Sequence, residues 1–271
     1  MNDFLSHVHF ANLADYVFAR NIFPDTPGEG IITVGLNTSF NIKSGDIVYS
    51  KYEFLGPLLE ILSRQNSLTD LKLISHESDR GVTKELFDLK PTCITKWYAQ
   101  NVEYEHRDLI PIPLGLSASY YSKTHMVSPP EKKFDGPKET LLYINHRIET
   151  HPTSRQWIYD HFKNVDWCTV DLPNLKKEEY LKRLETHKFI LCPRGNGVDT
   201  CRLWESLYYG MIPIVEDHLT YKTLDDLPAI RVKSFKDVNK DFLLKKEEEF
   251  KNRKFNLDKL KASWWINLIR K

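Results

Sequence analysis

Short apolar stretches alternate along the chain with longer segments whose apolar residues recur at helical spacing. GIITVG (30–35), DIVYS (46–50) and LKLISH (71–76) have strand length and are rich in β-branched residues, so they predict strands. KYEFLGPLLEILSRQ (51–65) has a helical period, and its Gly-Pro delays or bends the start. GVTKELFDLK (81–90) predicts another helix, and TCITKWYAQN (92–101) and LIPIPLGL (109–116) predict further strands or extended segments. Residues 123–139 are polar, carry three prolines and one glycine, and show no apolar period, which reads as a connection between domains.

The pattern then restarts. TLLYINH (140–146), DWCTV (166–170), KFILCP (188–193), IPIVED (212–217) and AIRVKS (229–234) predict strands. HPTSRQWIYDHFKN (151–164), with Pro152 in its first turn, KKEEYLKRLETH (176–187), DTCRLWESLYYG (199–210), closed by Gly210, and FKDVNKDFLLKKEEEFKN (235–252) predict helices. LDKLKASWWINLIRK (257–271) predicts a last helix anchored by Trp264 and Trp265. Strands alternating with helices imply parallel α/β sheets. The expected organisation is two Rossmann-like domains facing across a cleft: residues 1–125, a linker at 126–139, and 140–255. The C-terminal helix at 256–271 is expected to pack back on the first domain.

One stretch carries more chemistry than its neighbours. In CPRGNGVDTCRLWESLYYG (192–210), a buried strand runs into a loop with two glycines and then a helix. Gly195 and Gly197 let backbone approach a ligand closely, and Asp199 and Thr200 stand where a helix N-cap belongs. The helix start offers unpaired N–H groups to an anion. Arg194 and Arg202 add planar forks that match phosphate oxygens. Glu205, about 7 Å into the helix, suits the two hydroxyls of a ribose. The plain alternative is a capped helix with surface arginines and a Glu salt bridge. The whole combination between two buried strands favours a nucleoside diphosphate site. GxxxxGK[ST] and GxGxxG are both missing, which argues against a P-loop enzyme and weakens a dehydrogenase reading.

The bulk numbers narrow the partners. Thirty-eight Lys+Arg against 37 Asp+Glu leave a net charge of +1, which argues against a general nucleic-acid binder. Cys93, Cys168, Cys192 and Cys201 form no CxxC pair and read as buried, reduced thiols. The first residues lack a basic region ahead of an apolar core, and no stretch reaches the roughly 18 apolar residues of a membrane span. The expectation is a soluble, cytoplasmic chain without a membrane span, in which the sequon at Asn37 is accidental.

FILCPRGNGVDTCRLWESLYYGMIPIV resembles the donor-site segment of exostosin-type glycosyltransferases, which have the GT-B fold. The match is specific over about 25 residues and thin in the N-terminal half, where SHESDRG, KWYAQN and IPIPLGL only look familiar. The resemblance implies transfer of a sugar from a nucleotide donor, usually UDP-linked, with inversion. It implies that Arg194, Gly195, Gly197 and Asp199 line the donor loop, that Arg202 sits near the diphosphate, and that Glu205 binds the ribose; Asn196 and Thr200, in the same stretch, are further donor-binding candidates. Animal and plant members usually carry a membrane anchor and stem; this chain resembles a short microbial or viral form.

Transfer of this kind needs charge stabilisation for the leaving diphosphate and a base for the acceptor hydroxyl. Arg147, with Arg155 and His146 behind it, follows the first strand of the C-terminal half and is the expected second cationic group. For the base, ISHESDRG offers Asp79 first and His76 second; Asp79 pairing with Arg80 or capping a helix is the plain alternative. Glu77 and Trp97 are candidate acceptor contacts, with Lys51, Tyr52 and Glu53 weaker ones. No Asp-x-Asp occurs, so metal-independent chemistry with a UDP-sugar donor (xylose, galactose, glucuronic acid or glucose) and a glycan or glycoconjugate acceptor is expected. A non-catalytic nucleotide-sugar-binding protein, or an epimerase or hydrolase on the same frame, is the alternative.

Overall fold

Nearly all the apolar runs become parallel strands, because a strand covered on both faces needs an almost unbroken apolar surface. In a computed structural model the described residues are 3–19, 41–116 and 138–271. They divide between two units, one drawn from residues 1–126 and 261–271 and the other from 127–260. Both are α/β, each built on a parallel five-stranded sheet. The expected strand at 30–35, Asn37 and almost all of the expected linker lie outside the described residues.

In the first unit the elements run α1 (His7–Leu13), β1 (Tyr16–Phe18), β2 (Ile47–Lys51), α2 (Leu55–Ser63), β3 (Leu71–His76), α3 (Lys84–Asp88), β4 (Ile94–Ala99) and β5 (Leu109–Pro111). β2 is buried at every position and β3 at all but Lys72. α2 buries Leu55, Leu58, Leu59 and Leu62, the spacing of one helix face. The Gly-Pro pair delays this helix: a 3-10 turn at Tyr52–Phe54 precedes it. The sheet order is β1-β2-β3-β4-β5, so among the described strands each new one joins the same edge.

The second unit contains β6 (Thr140–Asn145), α4 (Pro152–Phe162), β7 (Cys168–Asp171), α5 (Lys177–Thr186), β8 (His187–Leu191), α6 (Cys201–Tyr208), β9 (Ile212–Glu216), β10 (Ile230–Val232) and α7 (Lys240–Lys251). Leu142, Ile144, Phe189, Leu191 and Ile214 from the strands pack with Ile158, Phe162 and Leu243 from the helices. α6 ends at Gly210, whose φ of +66° is the left-handed conformation glycine adopts without steric cost. α7 starts later than its period suggests, because Asn239 accepts from the Phe242 amide and caps it there, while Ser234 and Asp237 close a separate 3-10 turn.

The sheet order here is β10-β9-β8-β6-β7. β7 lies on one side of β6 and β8 on the other, so the chain reverses its direction of travel across the sheet between them. α8 (Ala262–Arg270) belongs to the first unit. The Asp3 carboxylate accepts from the Ser263 amide and hydroxyl at 2.7 and 2.6 Å, and Lys72 Nζ donates to the Ile269 carbonyl at 2.8 Å. Among the described residues no helix is long and apolar enough to cross a membrane.

Candidate functional site

A reversal of strand order opens a crevice beyond the carboxyl ends of the two strands concerned, because the connections leave them in opposite directions. In the second unit those strands are β6 and β8. Asn145, His146 and Arg147 follow β6, and the glycine-bearing loop 192–200 follows β8. The sequence-selected segments thus meet at one sheet edge.

Arg155, on α4, joins the two loops. Its Nε donates to the Arg194 carbonyl at 2.8 Å and its Nη2 to the Pro193 carbonyl at 2.9 Å. Its Nη1 donates to the Arg147 carbonyl at 2.9 Å and to Thr150 Oγ1 at 2.5 Å. The guanidinium is buried, so its role is corrected: it moulds the loops instead of presenting a fork to a ligand. Burial, and then the charge of Arg202, pull its pKa down to about 9, so it remains a cation at neutral pH. Gly195 is glycine for a local reason, since a Cβ there would stand 3.2 Å from Arg155 Nη2. Tyr221 fixes the far end of the loop by donating to the Val198 carbonyl at 2.7 Å. With these carbonyls occupied, the amides of Gly197, Val198, Thr200, Cys201 and Arg202 have no acceptor among the described residues.

Asp199 is also corrected. Its carboxylate is buried and accepts from Trp204 Nε1 at 2.9 and 3.0 Å, which staples the loop to α6 and turns the charge away from a ligand. Thr200 is the N-cap of α6 but makes no capping bond with its side chain, and its hydroxyl is buried without a partner. Arg202, in the first turn, places Nη2 3.4 Å from Asn145 Oδ1. Burial opposes its charge, yet Tyr180, Cys192 and Glu205 outweigh it and raise its pKa. Glu205, one turn further on, is buried and accepts from Tyr180 OH at 2.8 Å. Burial raises its pKa, while Arg202 and Tyr180 hold it down. Arg147, Arg194 and Asn196 are exposed. None of Arg147, Arg155, Arg194 and Arg202 has a carboxylate within ion-pair distance among the described residues.

A groove of about 780 Å³ elsewhere in this unit, beside β10 and α7, has no such character. Its Arg231 already faces Asp225 at 3.0 Å and Asp217 at 3.6 Å.

No protein-family model and no curated protein matches the sequence. Among solved structures, one titled "Crystal structure of GtfA/B complex" aligns with 90% of this chain and 58% of its own, at 10% identity and a TM-score of 0.35. The chain therefore spans less than two thirds of that structure's length.

The carboxyl edge of the first sheet is different. His76 ends β3 with 1% exposure, donates from Nε2 to the Pro113 carbonyl at 3.0 Å and packs against Phe10. Burial drives its pKa to about 3. A closed-off, weakly basic imidazole cannot take an acceptor's proton, so the expectation for His76 is corrected. Trp97 is fully buried, donates to Ser75 Oγ at 2.8 Å and stacks on Phe87; it is core, not an acceptor contact. Glu77 has a left-handed backbone, φ +58°, held by its amide donating to Gln100 Oε1 at 2.9 Å. Its carboxylate lies 3.1 Å from Lys51 Nζ and 3.5 Å from His7 Nε2, and accepts from Tyr49 OH at 3.2 Å. Asp79 is exposed on the loop that follows.

The sequence reading missed Asn145, Tyr180 and Tyr221. Each touches the site through a fold-level contact 57, 25 or 23 residues away in sequence, so only the β6–β8 adjacency could have pointed to them. All four cysteines are free, but Cys168 and Cys201 are only half-buried.

Proposed function

We propose that this chain is a glycosyltransferase that moves a sugar from a UDP-sugar to a hydroxyl acceptor, with the donor's diphosphate held at the carboxyl ends of β6 and β8. One observation carries the reading. Four arginines gather at that edge without a carboxylate at ion-pair distance among the described residues, and the Nε of one of them, Arg202, is buried. Glu205 acts on Arg202 and raises its pKa, but one buried carboxylate does not balance four guanidiniums, and a diphosphate supplies the remaining charge. The loop amides and the start of α6 point the same way. The likeness of 189–215 to an exostosin-type donor segment supports the choice of nucleotide sugar among diphosphates.

In this reading Arg202, Arg194 and Arg147 meet the diphosphate, with the amides of Gly197 and Thr200. Arg155 keeps the loop in shape, and Glu205, already oriented by Tyr180, takes the ribose hydroxyls. The acceptor oxygen bonds to the anomeric carbon as the bond from that carbon to the diphosphate oxygen breaks. The electron pair leaves on UDP, where the guanidiniums stabilise it, and displacement from the opposite face inverts the centre. The acceptor's proton passes to a general base; Asp79, exposed in the first unit, is the residue whose substitution tests that role. The positive charge comes from side chains and backbone, so turnover is expected to persist in EDTA. The test is UDP release from UDP-glucose, UDP-galactose, UDP-xylose and UDP-glucuronic acid with mixed glycan acceptors. Turnover that Arg202→Met abolishes and Asp79→Asn lowers at least about 100-fold supports the reading. No turnover of any donor by the wild type argues for a binding protein, and full turnover by Asp79→Asn removes the proposed base.

A further inference from the structure

Five buried side-chain polar atoms have no partner among the described residues, and three of them lie on the segments that follow β6 and β8: His146 Nδ1, Thr200 Oγ1 and Arg202 Nε; the others are Tyr143 OH within β6 and His76 Nδ1 in the first unit. Buried polar groups are almost always paired, so three at one edge point to a ligand. Two of them, the hydroxyl and the guanidinium N–H, can donate to phosphate. The third cannot. His146 is 4% exposed, and its Nε2 lies 2.9 Å from the Arg155 carbonyl. A carbonyl only accepts, so Nε2 carries the proton and Nδ1 carries a lone pair. Burial first, and then Arg202 and Arg155, hold this imidazole neutral, with a pKa of about 4. Nδ1 is therefore an acceptor among donors. Phosphate oxygens are acceptors too, and repel it; an O–H group satisfies it.

A nucleotide sugar carries hydroxyls on both sides of its diphosphate, on the ribose and on the transferred sugar. Glu205 and Tyr180 already form a polar pair suited to the ribose. We propose that His146 Nδ1 accepts a hydrogen bond from a hydroxyl of the transferred sugar, so that this pocket tells nucleotide sugars from free nucleotides. The inference rests on the donor-site reading above. Nδ1 is closed to solvent, so the inference requires a local rearrangement on binding; Arg202, whose charge acts on this ring and whose one side-chain hydrogen bond among the described residues is the long contact to Asn145, is the side chain assigned to it.

The test uses the full chain as wild type, His146→Asn and His146→Gln, titrated calorimetrically with UDP and with UDP-glucose, UDP-galactose, UDP-xylose and UDP-glucuronic acid. Asparagine puts an amide oxygen where Nδ1 stands. Glutamine reaches the Nε2 position, keeping the bond to Arg155 without an acceptor toward the sugar. The wild type is expected to bind at least one UDP-sugar more tightly than UDP. His146→Gln loses about five- to tenfold in affinity for that sugar nucleotide, the worth of one buried hydrogen bond, and His146→Asn keeps the preference. UDP affinity stays unchanged in His146→Gln and reports that the site is folded. A wild type with no preference for any sugar nucleotide, a His146→Gln that keeps the preference, or equal losses for UDP and UDP-sugars would each overturn the proposal and leave the diphosphate site standing. Failure of UDP itself to bind the wild type would remove both.

Discussion

At the carboxyl edge of the first sheet, Lys51 lies 3.1 Å and His7 3.5 Å from the Glu77 carboxylate, and Tyr49 donates to it. At the carboxyl edge of the second, four arginines have no carboxylate at ion-pair distance among the described residues, Asp199 is committed to Trp204, and Glu205 to Tyr180. The same architecture thus ends in a neutralised cluster in one unit and, in the other, a cationic cradle that Glu205 offsets only in part. Topology accompanies the difference: the second sheet reverses its strand order between β6 and β8, and the described strands of the first do not. A crevice with unspent charge is where an anion binds; an edge whose charges are already paired contributes stability or shape.

The sharpest way to break this comparison is to remove one cation from each edge. Lys51→Met leaves Glu77 buried without its ammonium, and the expected loss is about 3–5 kcal/mol of stability, read by chemical denaturation, with UDP affinity of the folded fraction unchanged. Arg202→Met should act on binding. UDP affinity of the folded fraction falls about 100-fold, the worth of a charged hydrogen bond with its Coulombic share. Equal effects of the two variants on UDP binding would erase the distinction between the edges.

Acid offers a smaller, graded test. His76 in the first unit is held near pKa 3, and His146 and His187 in the second near 4, each mainly by burial. Unfolded histidine titrates near 6.5, so the unfolded chain binds more protons as pH falls below that value. The stability each buried neutral ring contributes is complete above pH 6.5 and is lost as pH drops toward 4. At pH 5 the loss is about 2 kcal/mol per histidine, with two of the three in the second unit. Thermal melts at pH 7 and pH 5 check it, and equal midpoints would contradict it. The smallest effect is expected from Gly195→Ala, whose new methyl stands 3.2 Å from Arg155 Nη2. It should cost about 1 kcal/mol and weaken UDP binding a few-fold in the same titration.

Much of the fold was legible in the sequence because strands buried on both faces need apolar runs and covering helices need a period of 3.6. LKLISH is β3 to the residue, and Pro152 and Gly210 sit at helix ends where their backbone preferences suit them. α1 and β1 went unread because histidines interrupt the apolar pattern at the start of the chain. The candidate loop was legible because glycine, arginine and capping residues crowd between two strands. Its inner logic was not. Whether a guanidinium faces a ligand or, like Arg155, four oxygens of its own chain depends on contacts up to 39 residues away. The burial of His76 and Trp97 was hidden for a related reason: a polar or aromatic side chain at a strand end reads as functional until its partner is known.

The central claim is that the unpaired cations beyond β6 and β8 bind a nucleoside diphosphate. Calorimetric titration of the full chain with UDP, GDP and ADP, with and without EDTA and repeated on Glu205→Ala, tests it most directly. The account predicts UDP binding that survives EDTA and is lost in Glu205→Ala. No binding of any nucleotide to the wild type would contradict it and leave the loop between β8 and α6 a structural turn.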